Sequence, residues 1–186
     1  ASKQASKQAS KQASKQSVVQ FKQAPLPFVG QKRMFLKHFE TILNENIKGD
    51  GEGWTIIDTF GGSGLLSHAA KRLKPKARVI YNDFDGYAER LAHIDDINTL
   101  RSQLFTAVGN ATPKNKRMPK ELKAECIRII QAFDGYKDLN CLASWLLFSG
   151  EQVATLDELF QNNFWHCIRR SDYPKADGYL DGVEIV

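Results

Sequence analysis

The chain has 186 residues, 42% of them hydrophobic, which is enough for one domain with a buried core. Its formal net charge is +5, but four of the 26 basic residues lie in residues 1–16, so residues 17–186 carry 22 basic and 21 acidic side chains. Overall basicity therefore gives no argument for nucleic-acid binding, and the absence of a signal-like or membrane-spanning apolar segment favours a cytoplasmic protein without a membrane anchor.

Residues 1–16 are four copies of the sequence ASKQ and contain no large apolar side chain. A repeat of this composition cannot bury a core, so we predict a disordered tail at residues 1–17 and a fold that begins near Val18. The three cysteines have neither the spacing of a zinc site nor that of a disulfide framework. We therefore expect no bound metal and reduced, buried thiols at Cys126, Cys141 and Cys167.

The first half of the chain predicts helices that alternate with strands, judged from apolar periodicity and from the Gly and Pro residues between segments. In chain order the predicted elements are a loop at 25–32, a helix at 34–47, a strand at 54–58, a helix at 65–73, a strand at 77–82 and a helix at 87–104. This alternation is typical of an α/β fold with a parallel sheet.

The second half predicts helices only, until strand character returns near the C-terminus. The predicted helices lie at 119–132, 138–149 and 155–163, and the predicted strand lies at 179–186. The last of these helices begins with a capping box, Thr155 followed by Glu158. We therefore divide the chain into an α/β part at 18–98, a helical region at 99–170 and a return to the α/β part at 171–186.

Residues 58–64, with the sequence DTFGGSG, lie between the first predicted strand and the helix after it. Glycines at this place let the backbone approach a ligand, and the helix N-terminus offers unpaired N–H groups. A dinucleotide fingerprint does not fit, because Ser67 stands where its third glycine is needed. A phosphate loop of the Walker type does not fit either, because Leu65 follows Gly64.

Two carboxylates beside this turn indicate which kind of ligand it binds. Asp58, at the end of the first strand, would repel a pyrophosphate but attract a cation, and S-adenosylmethionine brings an ammonium and a sulfonium group. Asp83, at the end of the second strand, can accept hydrogen bonds from both ribose hydroxyls. The alternative is structural: Asp58 caps the turn that follows it, and Asp83 caps the helix that starts near Asp85.

Three segments in this order resemble successive motifs of Dam-type adenine-specific DNA methyltransferases: FVGQK at 28–32, DTFGGSG at 58–64 and YND at 81–83. The resemblance covers about residues 26–98. It implies a Rossmann-like S-adenosylmethionine-dependent methyltransferase fold with a partial parallel sheet and a helical recognition insertion. It also implies binding of double-stranded DNA, extrusion of an adenine and methylation of its N6 amine, with S-adenosylmethionine as cofactor.

The resemblance assigns roles to individual residues of this chain. The first motif would close over the cofactor, Asp58 would attract its ammonium group, Asp83 would hold the ribose and Phe84 would flank the adenine. The implied cofactor-binding residues are Phe28, Gly30, Lys32, Asp58, Phe60, Gly61, Gly62, Ser63, Gly64, Asp83 and Phe84.

The chain also departs from the family pattern. Phe28 replaces a common tryptophan and Gln31 replaces a second glycine. None of the six prolines is adjacent to another, so the catalytic Asp-Pro-Pro-Tyr tetrad is absent and the catalytic residues are unknown. We therefore expect the N-terminal portion of a longer methyltransferase. The alternatives are an inactive module that binds cofactor or DNA, and a methyltransferase for another acceptor such as RNA or protein.

One local basic cluster precedes the first helix of the helical region and enters it. In this position it predicts contacts to DNA phosphates, although a solvated loop is the alternative. The cluster comprises Lys114, Lys116, Arg117, Lys120 and Lys123. Aromatic residues farther along predict core packing, and these are Trp145, Phe148, Phe160, Phe164 and Trp165. The four histidines show no catalytic or metal-binding pairing, so we expect structural roles for them.

Overall fold

The computed structural model describes residues 20–109, 116–148, 150–163, 165–166 and 168–186. The predicted tail at 1–17, as well as Lys114, Phe164 and Cys167, lies outside the described residues. A 3-10 turn, Arg33–Phe35, precedes the first helix. The helices and strands are then α1 Leu36–Asn46, β1 Thr55–Asp58, α2 Leu65–Leu73, β2 Arg78–Tyr81, α3 Tyr87–Ala92, α4 Ile94–Val108, α5 Lys120–Ala132, α6 Leu139–Leu146, α7 Leu156–Gln161 and β3 Val183–Ile185.

The three strands form a parallel sheet in the order β1-β2-β3, which confirms the predicted small parallel sheet. Ile56, Val79 and Val183 stand in register across it and therefore share one face. That face packs against α1 and α2, where the buried side chains in contact are Leu43, Ile47 and Ala70. The apolar periodicity of both helices thus has a direct cause, since each helix covers the same side of the sheet.

The opposite face of the sheet has no such cover among the described residues. Ile57 lies on this face with 60% of its surface exposed, and Ile80 beside it is half-buried. Arg78 and Glu184 form an ion pair across β2 and β3 on the same side. In the described part of the chain, the three-stranded sheet therefore has one poorly covered face.

The helical region shares its core with the α/β part. Helix α4 runs across the 98/99 boundary, and its buried residues belong to one cluster with those of α5, α6 and α7. The predicted single helix at 87–104 is in fact two, because the chain turns at His93 between α3 and α4. The Thr155 cap of the predicted capping box is confirmed, since its hydroxyl accepts from Glu158 N–H at 3.2 Å. The Glu158 carboxylate accepts from Ala154 N–H at 2.8 Å, one residue before the N–H that a regular capping box uses.

The predicted core positions of the aromatic residues are confirmed for some residues and wrong for one. Trp145 and Trp165 are buried, as expected of core residues, but the core prediction for Phe148 is wrong because 62% of its surface is exposed. The helix ends at Leu146 and Leu147 is extended, so Phe148 no longer follows the buried face. Cys126 and Cys141 are free and buried, which confirms the expectation for these two, and burial raises the pKa of the Cys126 thiol to about 12.

None of the helices in the described part of the chain is both long and apolar enough to cross a lipid bilayer.

His68 joins the two ends of the described fold. Its Nε2 accepts a hydrogen bond from Phe21 N–H at 2.8 Å, so the ring proton lies on Nδ1, which donates to the Tyr179 carbonyl at 2.8 Å. The ring also stacks on that of Tyr179, with 4.9 Å between their centroids. Burial lowers the pKa of His68, and this outweighs the opposing effect of the Tyr179 carbonyl. The structural role predicted for this histidine is confirmed.

We expect the free energy of unfolding to decrease as the pH falls from 8 to 5, and His68→Gln to reduce this dependence. Below the ordinary histidine pKa of about 6.5, the unfolded chain binds a proton that the native ring does not, so acid favours unfolding. Urea denaturation at several pH values measures the slope. His38→Gln, at an exposed position of α1, is the matched control and should leave the slope unchanged. An equal slope for His68→Gln and the parent would contradict the assignment.

Candidate functional site

The candidate site lies at the carboxyl ends of β1 and β2. Asp58, the last residue of β1, stands in register with Tyr81, the last residue of β2, and Asp83 follows two residues later. Because the strands are parallel, both carboxylates lie at the same end of the sheet. The turn at residues 60–64, here called the glycine turn, leaves β1 at this end and leads into α2. The structure thus brings the predicted cofactor residues of β1 and β2 together.

The glycine turn is closed by a hydrogen bond from Gly64 N–H to the Gly61 carbonyl at 2.8 Å. Gly62 and Gly64 have positive φ angles of 51° and 69°, which favour glycine. A Cβ on Gly61 would lie 2.2 Å from two ring carbons of Tyr81, and one on Gly64 would lie 3.1 Å from the same ring. Contact with Tyr81 therefore accounts for part of the glycine requirement without any ligand.

Tyr81 belongs to the YND motif, but the sequence alone indicated no role for its side chain. Its hydroxyl lies 2.5 Å from the Gly62 carbonyl and 3.1 Å from Asp83 Oδ1, so it joins the glycine turn to the second carboxylate. The side chain is fully buried, and burial, followed by the charge of Asp83, raises the pKa of its hydroxyl well above the usual range. The hydroxyl therefore stays protonated and acts as a donor. A tyrosine at the end of a strand is too common to have been selected from sequence.

Asp83 is engaged by the start of α3. Its Oδ1 accepts from Tyr87 N–H at 2.7 Å and its Oδ2 accepts from Ala88 N–H at 2.9 Å. The helix-capping alternative is therefore observed. Each carboxylate oxygen can accept about two hydrogen bonds. Oδ1 already meets Tyr87 and Tyr81, so the capacity for a further donor lies on Oδ2.

Asp58 has a different environment. The hydroxyl of Ser67, in the first turns of α2, donates to its Oδ2 at 2.8 Å. In the described ranges, no Lys, Arg or His forms an ion pair with this carboxylate, and no backbone N–H donates to it. The turn-capping alternative is therefore not what this part of the chain shows. The half-buried carboxylate retains acceptor positions and an unneutralised charge at the sheet end.

The N-terminal loop, residues 25–32, lies directly on the glycine turn. The Lys32 ammonium donates to the Phe60 carbonyl, and the Phe28 ring lies 3.1 Å from where a Cβ on Gly62 would be. These contacts leave a space of only about 10 Å³ between loop and turn. The Gln31 side chain accepts from Ala24 N–H at 3.0 Å, so this residue stabilises the loop.

The N-terminal loop is also fixed by hydrogen bonds from α3, which is in turn paired with the start of α6. The Tyr87 hydroxyl donates to the Leu26 carbonyl and accepts from its N–H, both at 2.9 Å. Arg90 donates to the Pro27 carbonyl at 2.9 Å and to the Asp138 carboxylate at 2.6 Å. Arg90 and Asp138 are both buried. Nothing in the sequence spacing of Tyr87, Arg90 and Asp138 indicates that they meet around this loop.

Two aromatic rings are exposed at the end of the sheet where the carboxylates lie. Phe60 follows Asp58 with 84% of its surface exposed, and Phe84 follows Asp83 with 90% exposed. Large apolar side chains with this exposure are available for stacking on a planar ligand.

The basic cluster is placed at the start of α5. Lys116, Arg117 and Lys120 are exposed. The Lys123 ammonium instead donates to the Asn162 carbonyl at 2.7 Å and lies 5.2 Å from the centroid of the Trp165 ring. Burial, followed by the charge of Arg117, lowers the pKa of Lys123. Lys123 thus stabilises its own fold, while Lys114 lies outside the described residues.

Comparison with known proteins gives one informative match. Over 166 residues the chain is 68% identical to a protein of Haemophilus influenzae that bears the name "Putative methyltransferase". The match covers 89% of this chain and 56% of the relative, so the chain spans little more than half the length of the protein it matches. No family model matches the chain, and no solved structure matches it.

Proposed function

We propose that this chain forms the S-adenosylmethionine-binding part of a DNA adenine N6-methyltransferase. The observation that carries the proposal is Asp58: a half-buried carboxylate without an ion-pair partner in the described ranges, at the end of a parallel strand and next to a glycine turn. The name of the Haemophilus influenzae relative supports methyl transfer as the chemistry. The motifs at 28–32, 58–64 and 81–83 support adenine in DNA as the target.

The strand order supports a Rossmann-like assignment. Three parallel strands in the order β1-β2-β3 correspond to one half of a doubly wound sheet, whose ligand lies at the carboxyl ends of its strands. In such a sheet the ligand crevice opens beside the first strand. Asp58 and the glycine turn are at that position.

The residues present fit the cofactor in their chemistry. Asp58 would bind the ammonium group, Oδ2 of Asp83 would accept from a ribose hydroxyl, and Phe84 would flank the adenine ring. S-adenosylmethionine, when bound, supplies an activated methyl group, and no metal is needed for its transfer. The space of about 10 Å³ between Lys32 and the glycine turn is too small for the methionine or the adenosyl portion of this ligand. We therefore infer that residues 28–32 move away from the glycine turn when the cofactor binds.

Replacing Asp58 by Asn should weaken S-adenosylmethionine binding by about 10- to 100-fold, since a hydrogen bond to a charged group contributes about 1.5–3 kcal/mol. Isothermal titration calorimetry measures the dissociation constant. Asp85→Asn is the matched control, because Asp85 is an exposed carboxylate at the same end of the sheet. Equal affinity of Asp58→Asn and the parent would refute the cofactor site.

A cavity of about 460 Å³ lies on the other side of the N-terminal loop, against α6 and the segment after it. Phe28 and Phe148 contribute aromatic rings to it. The polar side chains that line it are Gln31, Asn140, Ser144, Glu151, Gln152 and His166. Rings for stacking and amides that pair with a base edge are how proteins hold an extruded base. We propose that the target base enters here, since Phe28 borders both this cavity and the glycine turn.

Removing Lys116 and Lys120 together should reduce the salt dependence of DNA binding. Each phosphate contact contributes about 0.9 to the slope of log K against log salt concentration, so the slope should fall by about 2. Fluorescence anisotropy with a duplex oligonucleotide at several salt concentrations measures it. Lys37→Ala with Lys48→Ala, two exposed lysines in and just after α1, controls for the loss of net charge. An unchanged slope in the first variant alone would exclude the basic cluster from the interface.

An inactive binding module is the second candidate, because the sequence has no adjacent prolines and hence no catalytic tetrad. Transfer of a radiolabelled methyl group to duplex DNA by the full-length Haemophilus influenzae relative distinguishes the two. Transfer by the relative supports a part of an enzyme, and binding of cofactor and DNA by the relative without transfer supports the module.

A further inference from the structure

Two buried tyrosines hold the peptide groups on either side of Ser63 in the glycine turn. The Tyr81 hydroxyl donates to the Gly62 carbonyl at 2.5 Å, and the Tyr179 hydroxyl donates to the Ser63 carbonyl at 2.6 Å. Burial raises the pKa of both hydroxyls well above the usual range, so each keeps the proton that it donates. The turn is therefore fixed by β2 and by the segment that precedes β3.

This arrangement leaves the N–H of Ser63 without an acceptor. No peptide bond in the described ranges is cis, and a trans peptide points its C=O and its N–H in opposite directions. Because the Gly62 carbonyl points at Tyr81, the Ser63 N–H points to the other side. Ser63 lines the small space there, beneath Gly30 and Lys32.

The environment of this N–H indicates a ligand. Within the described part of the chain it donates to no acceptor, although Ser63 is only 3% exposed. A buried N–H without a partner is rare and costs free energy. An acceptor that enters with a ligand would remove this cost.

The cofactor proposed above carries such an acceptor. In S-adenosylmethionine the ammonium and the carboxylate are attached to the same carbon atom, so a site for one must adjoin a site for the other. Asp58 would bind the ammonium group, and Ser67, four residues after Ser63, donates to Asp58 at 2.8 Å. The Ser63 N–H therefore lies at the same end of the sheet as the carboxylate that would bind the ammonium group.

We propose that Tyr81 and Tyr179 are positioning residues of the cofactor site, whose hydroxyls fix the glycine turn so that the Ser63 N–H donates to the methionine carboxylate. Neither tyrosine touches the ligand, and each acts through one carbonyl of the turn. The inference rests on the proposed function, since it concerns the same ligand. It adds a role for two hydroxyl groups to which the resemblance in sequence assigns none.

Tyr81→Phe and Tyr179→Phe test the proposal, because each removes one hydroxyl and keeps the ring. Each variant should bind S-adenosylmethionine about three- to tenfold more weakly, as expected for one hydrogen bond. Each should bind 5′-methylthioadenosine, which has the adenosyl group but no carboxylate, as tightly as the parent does. Isothermal titration calorimetry measures both constants. Tyr173→Phe is the matched control, because its buried hydroxyl accepts from Trp145 instead, and both affinities should stay unchanged.

Nuclear magnetic resonance of the parent supplies a second measurement that needs no variant. The Ser63 amide proton should shift downfield when S-adenosylmethionine is added, because a hydrogen bond to a carboxylate deshields it. It should shift much less with 5′-methylthioadenosine. In Tyr81→Phe the shift caused by S-adenosylmethionine should be smaller than in the parent.

Three outcomes would overturn the proposal. Unchanged affinity of both variants for S-adenosylmethionine would show that the hydroxyls do not position the turn, and equal weakening for both ligands would show a general loss of structure. A Ser63 amide that S-adenosylmethionine does not shift would exclude this N–H as the donor, even if a variant fails to fold. All three leave the cofactor site standing if Asp58→Asn weakens binding, whereas a parent that binds no S-adenosylmethionine would overturn both proposals.

Discussion

Asp138→Ala should lower the free energy of unfolding by about 3–5 kcal/mol, because it leaves the buried Arg90 guanidinium without its carboxylate partner. The two side chains are 7% and 2% exposed, and the pair is bidentate, with donor distances of 2.6 and 3.2 Å. Asp138 also accepts from Cys141 N–H at 2.8 Å at the start of α6, so the helix loses its N-terminal cap as well. Urea denaturation followed by circular dichroism measures the loss.

The control for this prediction is an ion pair on the surface. Glu125 and Arg128 on α5 are both substantially exposed, so Glu125→Ala should not measurably change stability. The free energy of unfolding of Asp138→Asn should lie between that of Asp138→Ala and that of the parent, since the amide oxygen still accepts one hydrogen bond. A loss under 1 kcal/mol for Asp138→Ala would mean that water or a neighbour compensates the guanidinium.

The same ion pair connects the helical region with the candidate site. Arg90 also donates to the carbonyl of Pro27, the residue next to Phe28, whose ring lies on the glycine turn. Loss of Asp138 should therefore affect the position of Phe28 even under conditions where the protein remains folded. The intrinsic fluorescence change on cofactor addition would differ between Asp138→Asn and the parent if this contact positions the loop.

Gly61→Ala is expected to destabilise the protein by about 1–3 kcal/mol, the usual cost of overpacking a core. Its Cβ would lie 2.2 Å from the Tyr81 ring and 2.9 Å from the Asn82 carbonyl, and neither neighbour is the end of a flexible side chain. Displacement of Tyr81 would also break the hydroxyl contacts with the Gly62 carbonyl and Asp83. Thermal or chemical denaturation measures the change.

A double-mutant cycle assigns the cause of that loss. If the Tyr81 ring is responsible, the decrease in the free energy of unfolding caused by Gly61→Ala should be smaller by at least 1 kcal/mol in a Tyr81→Val background than in the parent. Additive effects would show that the backbone, and not the ring, limits this position.

The sequence was sufficient for most elements near the candidate site. The predicted helix at 65–73 agrees with α2 at both ends, and the two predicted strands contain β1 and β2. These predictions depend on apolar periodicity and on Gly and Pro residues, which act within a few neighbours along the chain. The C-terminal strand was predicted too long, since residues 177–182 form turns and only Val183–Ile185 pairs with β2.

The contacts that shape the site could not be predicted. The roles of Tyr81 and Arg90 depend on partners far along the chain, such as Gly62 for Tyr81 and Pro27 for Arg90. The same holds for Asp138. Phe148 is the opposite case, a residue for which the sequence predicted a contact that does not form. Its helical spacing indicated a core position, but the helix ends two residues before it.

The sequence by itself determined local features. These are an α/β alternation with a parallel sheet, a glycine turn, and a carboxylate at the end of each of two strands. It also showed that four of the charges behind the +5 total belong to the repeat at 1–16, leaving one basic cluster as the argument for DNA. Only the tertiary structure decided that Asp83 caps α3, that Lys123 is engaged by its own fold and that one sheet face is open. Each of these depends on which side chains meet in space, and periodicity along the chain does not contain that information.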